Sequence, residues 1–241
     1  ALVKDFPWPK SMKFGEGDRT QRWVRPLQRV LCLLDGDVVP FEVFGIATGN
    51  ETEGHRVMGR GPFTVTDFAG YEETLRTRGA VLTHRAEREA LILEGARKVC
   101  SDAGLELIED AGLLAEVTGL VETPVPLLGQ MDPDFLDLPP EVIQLTMKTH
   151  QKYFAVRDPN TSAIAPNFVV IANQVAPDGG TAIAAGNARV LSARLSDARH
   201  FWDNDRKRPL DEMAKELSKV TFHEKLGSVA DKVERVAALA R

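Results

Sequence analysis

Residues 186–208, GNARVLSARLSDARHFWDNDRKR, set Arg189, Arg194, Arg199, Arg206, Lys207 and Arg208 against Asp197, Asp203 and Asp205. A guanidinium pairs with phosphate oxygens through two parallel hydrogen bonds, so such a run suits a phosphodiester backbone. Pairing of the same arginines with those aspartates along a solvated helix is the plainer reading of the residues alone. A second set is His55-Arg56 in the glycine-rich stretch TGNETEGHRVMG. Histidine there could act as acid, base or hydrogen-bond donor near neutral pH, or simply pin the loop. A third is His150-Gln151-Lys152-Tyr153-Phe154, a cation, an amide and two aromatics of the kind that stack on and hydrogen-bond to unpaired RNA bases. On a strand, Lys152 and Phe154 face one way and Tyr153 the other, so burial of Phe154 is expected, with Lys152 or Gln151 left for contact.

The elements that must carry these residues follow from periodicity. Leu191, Leu195, Ala198 and Trp202 recur at steps of four, three and four, the buried stripe of one helix. Helices are also predicted over about residues 67–78, with Asp67 as N-cap, 83–102 and 139–150, the last opened by Pro139-Pro140, with a short helix or turn near 113–120. In the 83–102 helix the expected buried stripe is Leu82, Ala86, Ala90, Leu93, Ala96 and Cys100, with Glu94–Lys98 paired on the outside. Residues 25–34 and 38–46 flank Asp35-Gly36-Asp37 and read as a β-hairpin. Residues 63–66, 152–157 and 165–172 read as strands, and Thr123-Pro124-Val125-Pro126-Leu127 as extended chain at a sheet edge. Residues 48–61 read as a loop, and the chain beyond the Asp178-Gly179-Gly180 break as mostly helical. The expected class is α/β, with α+β open: a mixed sheet with packed helices, followed by a helical segment.

Composition narrows the chemistry. The 241 residues, 43% hydrophobic, suffice for a substantial core. The absence of a long apolar run excludes a membrane-spanning helix. Cys32 and Cys100 form no zinc or disulfide framework; burial of both and a reducing cytoplasm are expected. The net charge of −5 is uneven. Residues 1–30 carry Lys4, Lys10, Lys13, Arg19, Arg22, Arg25 and Arg29 against Asp5, Glu16 and Asp18, a balance of +4; residues 189–208 add +3, leaving −12 elsewhere. Two basic islands on an acidic body suit directed contact with RNA, although ordinary fluctuation of surface charge accounts for them too. No phosphate-binding G-x-x-x-x-G-K-S/T loop and no G-x-G-x-x-G after a strand occurs. His84, His200 and His223 have no metal-ligand spacing, and Glu106, Glu109 and Asp110 read as a solvated loop face. The chain starts at Ala1 and stops inside a helical pattern, so a piece of a longer polypeptide is expected.

The order G-N-x-x-V-L-x-A-R-L-x-D-A-x-x-F-x-x-x-D, carried by Gly186 through Asp205, resembles a signature of the β subunit of bacterial two-subunit glycyl-tRNA synthetase. His55-Arg56 in its glycine-rich context, MKTHQKYF (147–154) and VTFHEKLGSVADKVER (220–235) match three further segments of that family in the same order. Val57 departs from it, standing where an aromatic is usual. The resemblance implies a domain like the B3/B4 module of phenylalanyl-tRNA synthetase over residues 1–208, and over 209–241 a lead into an HD-like helical domain. It implies that glycine is joined to tRNA, with ATP, on an α subunit, while the β subunit serves tRNA engagement. The partners would be tRNA(Gly), the α subunit and the rest of the β subunit, in the cytoplasm, with no membrane, catalytic residue, cofactor or metal on this chain. Arg194, Arg199, Arg206, Lys207, Arg208, Lys152, Gln151, His55, Arg56, Arg22 and Arg25 are the candidate RNA contacts. An editing hydrolase acting on mischarged tRNA and an assembly scaffold without RNA contact are the alternatives.

Overall fold

A computed structural model describes residues 2–3, 5–15 and 20–241. The N-terminal part is built of small pairings: β1 (Met12–Phe14) with β2 (Gln21–Trp23), and β3 (Val30–Leu31) in parallel with a later strand. β4 (Leu33–Leu34) and β5 (Asp37–Val38) form a tight hairpin. Its turn residues Asp35 and Gly36 have φ of 52° and 90°, the two positive values of a type I′ turn. This hairpin is far shorter than the sequence suggests. Its second arm reverses into β6 (Glu42–Val43) and β7 (Ile46–Gly49), and β3 pairs with β7 instead. The expected loop at 48–61 likewise begins in β7 and contains β8 (Glu51–Thr52), which pairs with β9 (Phe63–Thr64).

α1 (Phe68–Thr77) begins where Asp67 accepts the amide of Gly70. α2 (Arg85–Asp102) follows, then β10 (Glu106–Leu107) and α3 (Ala111–Thr118), capped by Asp110. β11 (Val125–Gln130), α4 (Pro140–Thr146), a π-helical turn over Met147–Gln151, β12 (Phe154–Arg157), β13 (Ile164–Ala172) and α5 (Thr181–Arg206) complete the main body. The central sheet runs β10-β12-β13-β11, antiparallel at each pairing. β11 is an edge strand, as Pro126 within it requires.

Both faces of this sheet are covered. On one, Phe154, Val156, Val169 and Ile171 meet Ile92, Ala96 and Cys100 of α2 and Leu113, Leu114 and Val117 of α3. On the other, Tyr153, Ala155, Phe168 and Val170 meet Ile143 of α4 and Leu191 and Leu195 of α5. The mixed helix and strand content agrees with expectation; the antiparallel central sheet gives it the α+β form. The only parallel pairing among the described residues is β3 with β7.

Two readings of α2 are corrected. Its buried residues are Ile92, Ala96 and Cys100, while Ala86 and Ala90 are exposed. Arg88 occupies the inward side of the first turns, donating to the carbonyls of Leu82, Thr83 and Thr118, so a polar contact replaces the alanine stripe. Lys98 pairs with Asp102 at 2.8 Å rather than with Glu94.

Residues 209–241 are not simply helical. Between α6 (Leu210–Glu216) and α7 (Val229–Leu239) lies a hairpin of β14 (Thr221–His223) and β15 (Gly227–Ser228). His223 accepts the Lys225 amide and Gly227 takes φ of 85°, which close that turn. None of the four elements contains a buried residue, and Val233, Val236 and Leu239 stand at least half exposed. Leu195→Ala should therefore cost about 2–5 kcal/mol, a cavity in a core helix, whereas Val236→Ala should change stability by under about 0.5 kcal/mol. Urea denaturation of both variants checks the contrast.

Candidate nucleic-acid interface

α5 is fixed before its cations are placed. Asp178 accepts the amides of Gly180 and Ala182 at 3.0 and 2.8 Å and so caps the helix start; these bonds hold its carboxyl below the ordinary range. Leu191 and Leu195 are fully buried, and Trp202 packs at the rim of the same cluster. Asn187 settles the rotation of the helix. Its side-chain oxygen accepts the Tyr153 hydroxyl at 2.5 Å, and its amide donates to the Ile183 carbonyl at 2.8 Å. Burial pushes the Tyr153 hydroxyl up to about 12, so it stays a donor. Tyr153 stacks on Phe168 at 4.8 Å. Gly129 lies opposite Phe168, where a Cβ would come within 2.2 Å of its ring.

With that face turned inward, the cations of α5 divide. Arg199 donates to the Asp134 carbonyl, approaches Asp137 at 3.8 Å and lies over the Phe135 ring, so it ties α5 to the 133–137 turn. Arg206 lies 5.9 Å from the Trp202 ring, Lys207 donates to Asn204, and Arg208 reaches Glu216 at 4.0 Å. Arg189 and Arg194 are exposed, with no hydrogen-bond or ion-pair partner among the described residues. Arg194 and Arg199 are five residues apart and project roughly 140° from one another, so the cations form no single stripe. The expected pairing with Asp197, Asp203 and Asp205 does not occur among the described residues.

The other candidates sit elsewhere. His55 is buried, with Nδ1 accepting the amides of Val57 and Met58 at 3.2 and 3.1 Å. Its own amide donates to the Gly79 carbonyl at 2.6 Å, and Nε2 lies 3.8 Å from Glu122. A neutral imidazole whose Nδ1 accepts two amides carries its proton on Nε2 and has no lone pair left to act as a base. The loop is pinned further by Gly54, where a Cβ would come within 2.2 Å of the Gly59 carbonyl, and by Gly59, where it would come within 2.3 Å of the Arg78 carbonyl. Arg56, beside it, is exposed and unpaired among the described residues, and Val57 is 71% exposed. The Val175 amide lies 3.2 Å from the Met58 sulfur, which brings this loop against the segment leading into α5.

The π-helical turn ends at Lys152, in the left-handed conformation with φ of 60°, and Lys152 pairs with Glu116 at 2.8 Å. Gln151 is half-buried. Both Phe154 and Tyr153 are buried, on opposite faces of the sheet. Arg22 and Arg25 belong to the N-terminal hairpin and its exit, exposed and without an acidic partner among the described residues; Lys4 and Arg19 of that island lie outside the described residues.

Residues read as a plain acidic loop turn out to be structural. Glu106 pairs with Arg157 through two bonds of 2.6 and 2.9 Å, Glu109 with Arg97, and Asp110 with Lys148 at 2.5 Å. His84 pairs with Glu72 at 2.6 Å, and His200 with Asn204 at 2.9 Å. No group of three metal-ligating side chains occurs among the described residues, and no described helix is long and apolar enough to cross a membrane. Cys100 is buried, which pushes its thiol up to about 11; Cys32 is only half-buried. Sequence reading gave no structural role to Arg88, or to Asn187 and Lys148 of the family segments, all polar residues whose roles depend on distant partners.

The described residues thus form an α+β body with both faces of its central sheet covered and cations exposed on its outside. The model of the glycyl-tRNA synthetase β subunit family matches residues 1–241, and the chain belongs to that family. It is 58% identical over 241 residues to the glycine–tRNA ligase β subunit of Phenylobacterium zucineum (strain HLK1), covering all of this chain and 36% of that protein. It is 48% identical over 248 residues to that of Ruegeria sp. (strain TM1040), and 49% over 245 residues to that of Paracoccus denitrificans (strain Pd 1222). Each of these two alignments covers 99% of this chain, and 36% and 35% of the relative respectively. The chain thus spans little more than a third of the length of the curated relatives it matches.

Asp110 supplies a check on the geometry. The Lys148 bond, then the Leu113 amide, hold its carboxyl below the ordinary range. A depressed carboxylate stabilises the fold above its unfolded pKa, and that contribution disappears as pH falls below about 4. Asp110→Asn should be less stable than the parent at neutral pH, with the gap closing as pH drops through that window. Thermal midpoints measured from pH 7 to pH 2.5 test this.

Proposed function

We propose that this chain is part of the β subunit of a glycine–tRNA ligase and helps hold tRNA while glycine is attached, with ATP, on an α subunit. In this reading it works in the cytoplasm beside the α subunit and the remainder of the β subunit. It binds no cofactor itself. The observation that carries the reading is Arg189 and Arg194, about 140° apart on α5, both exposed and without a partner among the described residues, on a helix anchored by Leu191, Leu195 and Asn187. Such cations on a rigid element position a phosphate backbone without reading its sequence. Arg56, exposed on the pinned loop that meets the segment before α5 through Met58 and Val175, is a further cation of this kind. Arg199, Arg206, Lys207, Arg208, Lys152 and Gln151 would reach RNA only by giving up or sharing their present contacts. His55 would act through the loop it holds.

Arg189→Glu with Arg194→Glu should weaken tRNA binding by at least about tenfold near physiological salt while leaving the thermal midpoint unchanged. Filter binding with a glycine-accepting tRNA measures it. Affinity indifferent to this double reversal would instead favour a scaffold that touches only protein.

A further inference from the structure

The N-terminal hairpin sets two cations directly against each other. β1 and β2 pair as Met12↔Trp23, Lys13↔Arg22 and Phe14↔Gln21. Residues opposite one another on paired strands share a face, and like charges there repel and weaken the pairing. Met12, Phe14, Gln21 and Trp23 therefore take one face and Lys13 and Arg22 the other. The first face is seated: Trp23 lies 5.0 Å from Trp8 and 5.7 Å from Phe6, and Phe14 lies 6.0 Å from Phe44. Lys13 and Arg22 are both exposed.

Nothing described neutralises them. Arg29, a few residues on, meets Glu51 at 3.3 Å and Glu53 at 2.9 Å. Lys10, Lys13, Arg22 and Arg25 have no acidic partner among the described residues. The only acids in the sequence between residues 6 and 34 are Glu16 and Asp18, which lie outside them.

We propose that the Lys13–Arg22 face of this hairpin is a seat for the phosphodiester backbone of RNA, with the exposed Lys10 and Arg25 just beyond its open end. The inference rests on the reading that the chain engages tRNA, and names a contact separate from α5. Two outward cations one cross-strand spacing apart bracket a single phosphate, the arginine through its fork and the lysine as a point charge. A phosphate in that position turns the cross-strand repulsion into a shared attraction. A repeating backbone then meets the flanking Lys10 and Arg25 with further phosphates, which an isolated carboxylate does not.

The test is Lys13→Gln and Arg22→Gln, singly and together, with tRNA affinity over a salt series and the thermal midpoint read side by side. Each change should flatten the slope of log affinity against log salt by roughly 0.7–0.9. The double variant should bind at least about tenfold more weakly at low salt. The midpoint should hold or rise, because the repulsion is relieved. A salt slope unchanged in the variants, with ordinary tRNA binding by the parent, overturns the hairpin seat alone. A midpoint that falls with the affinity overturns it too, by making the cations structural. Polyglutamate matching RNA in affinity and in sensitivity to the variants would assign the face to an acidic protein surface and so overturn the RNA seat. No tRNA binding by the parent chain would overturn the reading beneath it.

Discussion

Tyr153 and Phe154 are adjacent, and both are buried. On a strand this places one large ring on each side of the sheet, so neither side can be left to water. The rest of the main body follows from that requirement. Phe154 calls for the cover given by α2 and α3, and Tyr153 for that given by α4 and α5. β13 consequently reads as an almost continuous apolar run, as a strand buried on both faces must. The Tyr153 hydroxyl cannot be buried without an acceptor, and Asn187 supplies it. Asn187 of the family signature therefore has a structural role.

The same constraint decides which cations are available outside. Once Leu191, Leu195 and Asn187 face the sheet, Arg199 is turned to the 133–137 turn, while Arg189 and Arg194 are left in solvent. The basic islands thus contain two populations, cations that hold elements together and cations without a described counter-charge. The second population includes the N-terminal hairpin, where opposed Lys13 and Arg22 weaken their own pairing. An acidic body with a few uncompensated cations on rigid elements favours oriented contact with a polyanion over indiscriminate binding.

Local signals were legible in the sequence. Asp67 and Pro139-Pro140 marked helix starts, Asp35-Gly36 a turn, and the Leu191–Leu195 spacing a buried face, because each depends on near neighbours. Pairings over long sequence distance were not. The parallel match of β3 to β7 and the place of Arg88 against Thr118 depend on which segments meet, and periodicity carries no record of that. Ala86 and Ala90 fit the α2 stripe by spacing, but a polar contact took the inward side. Among the candidate site residues, the pinning of the loop by His55 was one of two readings left open by its glycine-rich context. The division of the arginines was not visible, since Asp137 and the Asp134 carbonyl are over sixty residues from Arg199.

The central claim is that cations lacking internal partners are the ones that meet tRNA. The most direct measurement is binding of the chain to a glycine-accepting tRNA, with an unrelated tRNA alongside, from about 50 to 200 mM salt. Lys10, Lys13, Arg22, Arg25, Arg56, Arg189 and Arg194 would release about one counterion each. The account therefore predicts a straight line of log affinity against log salt, with a slope of roughly −5 to −6. A slope near zero, or no binding at the low-salt end, would contradict it.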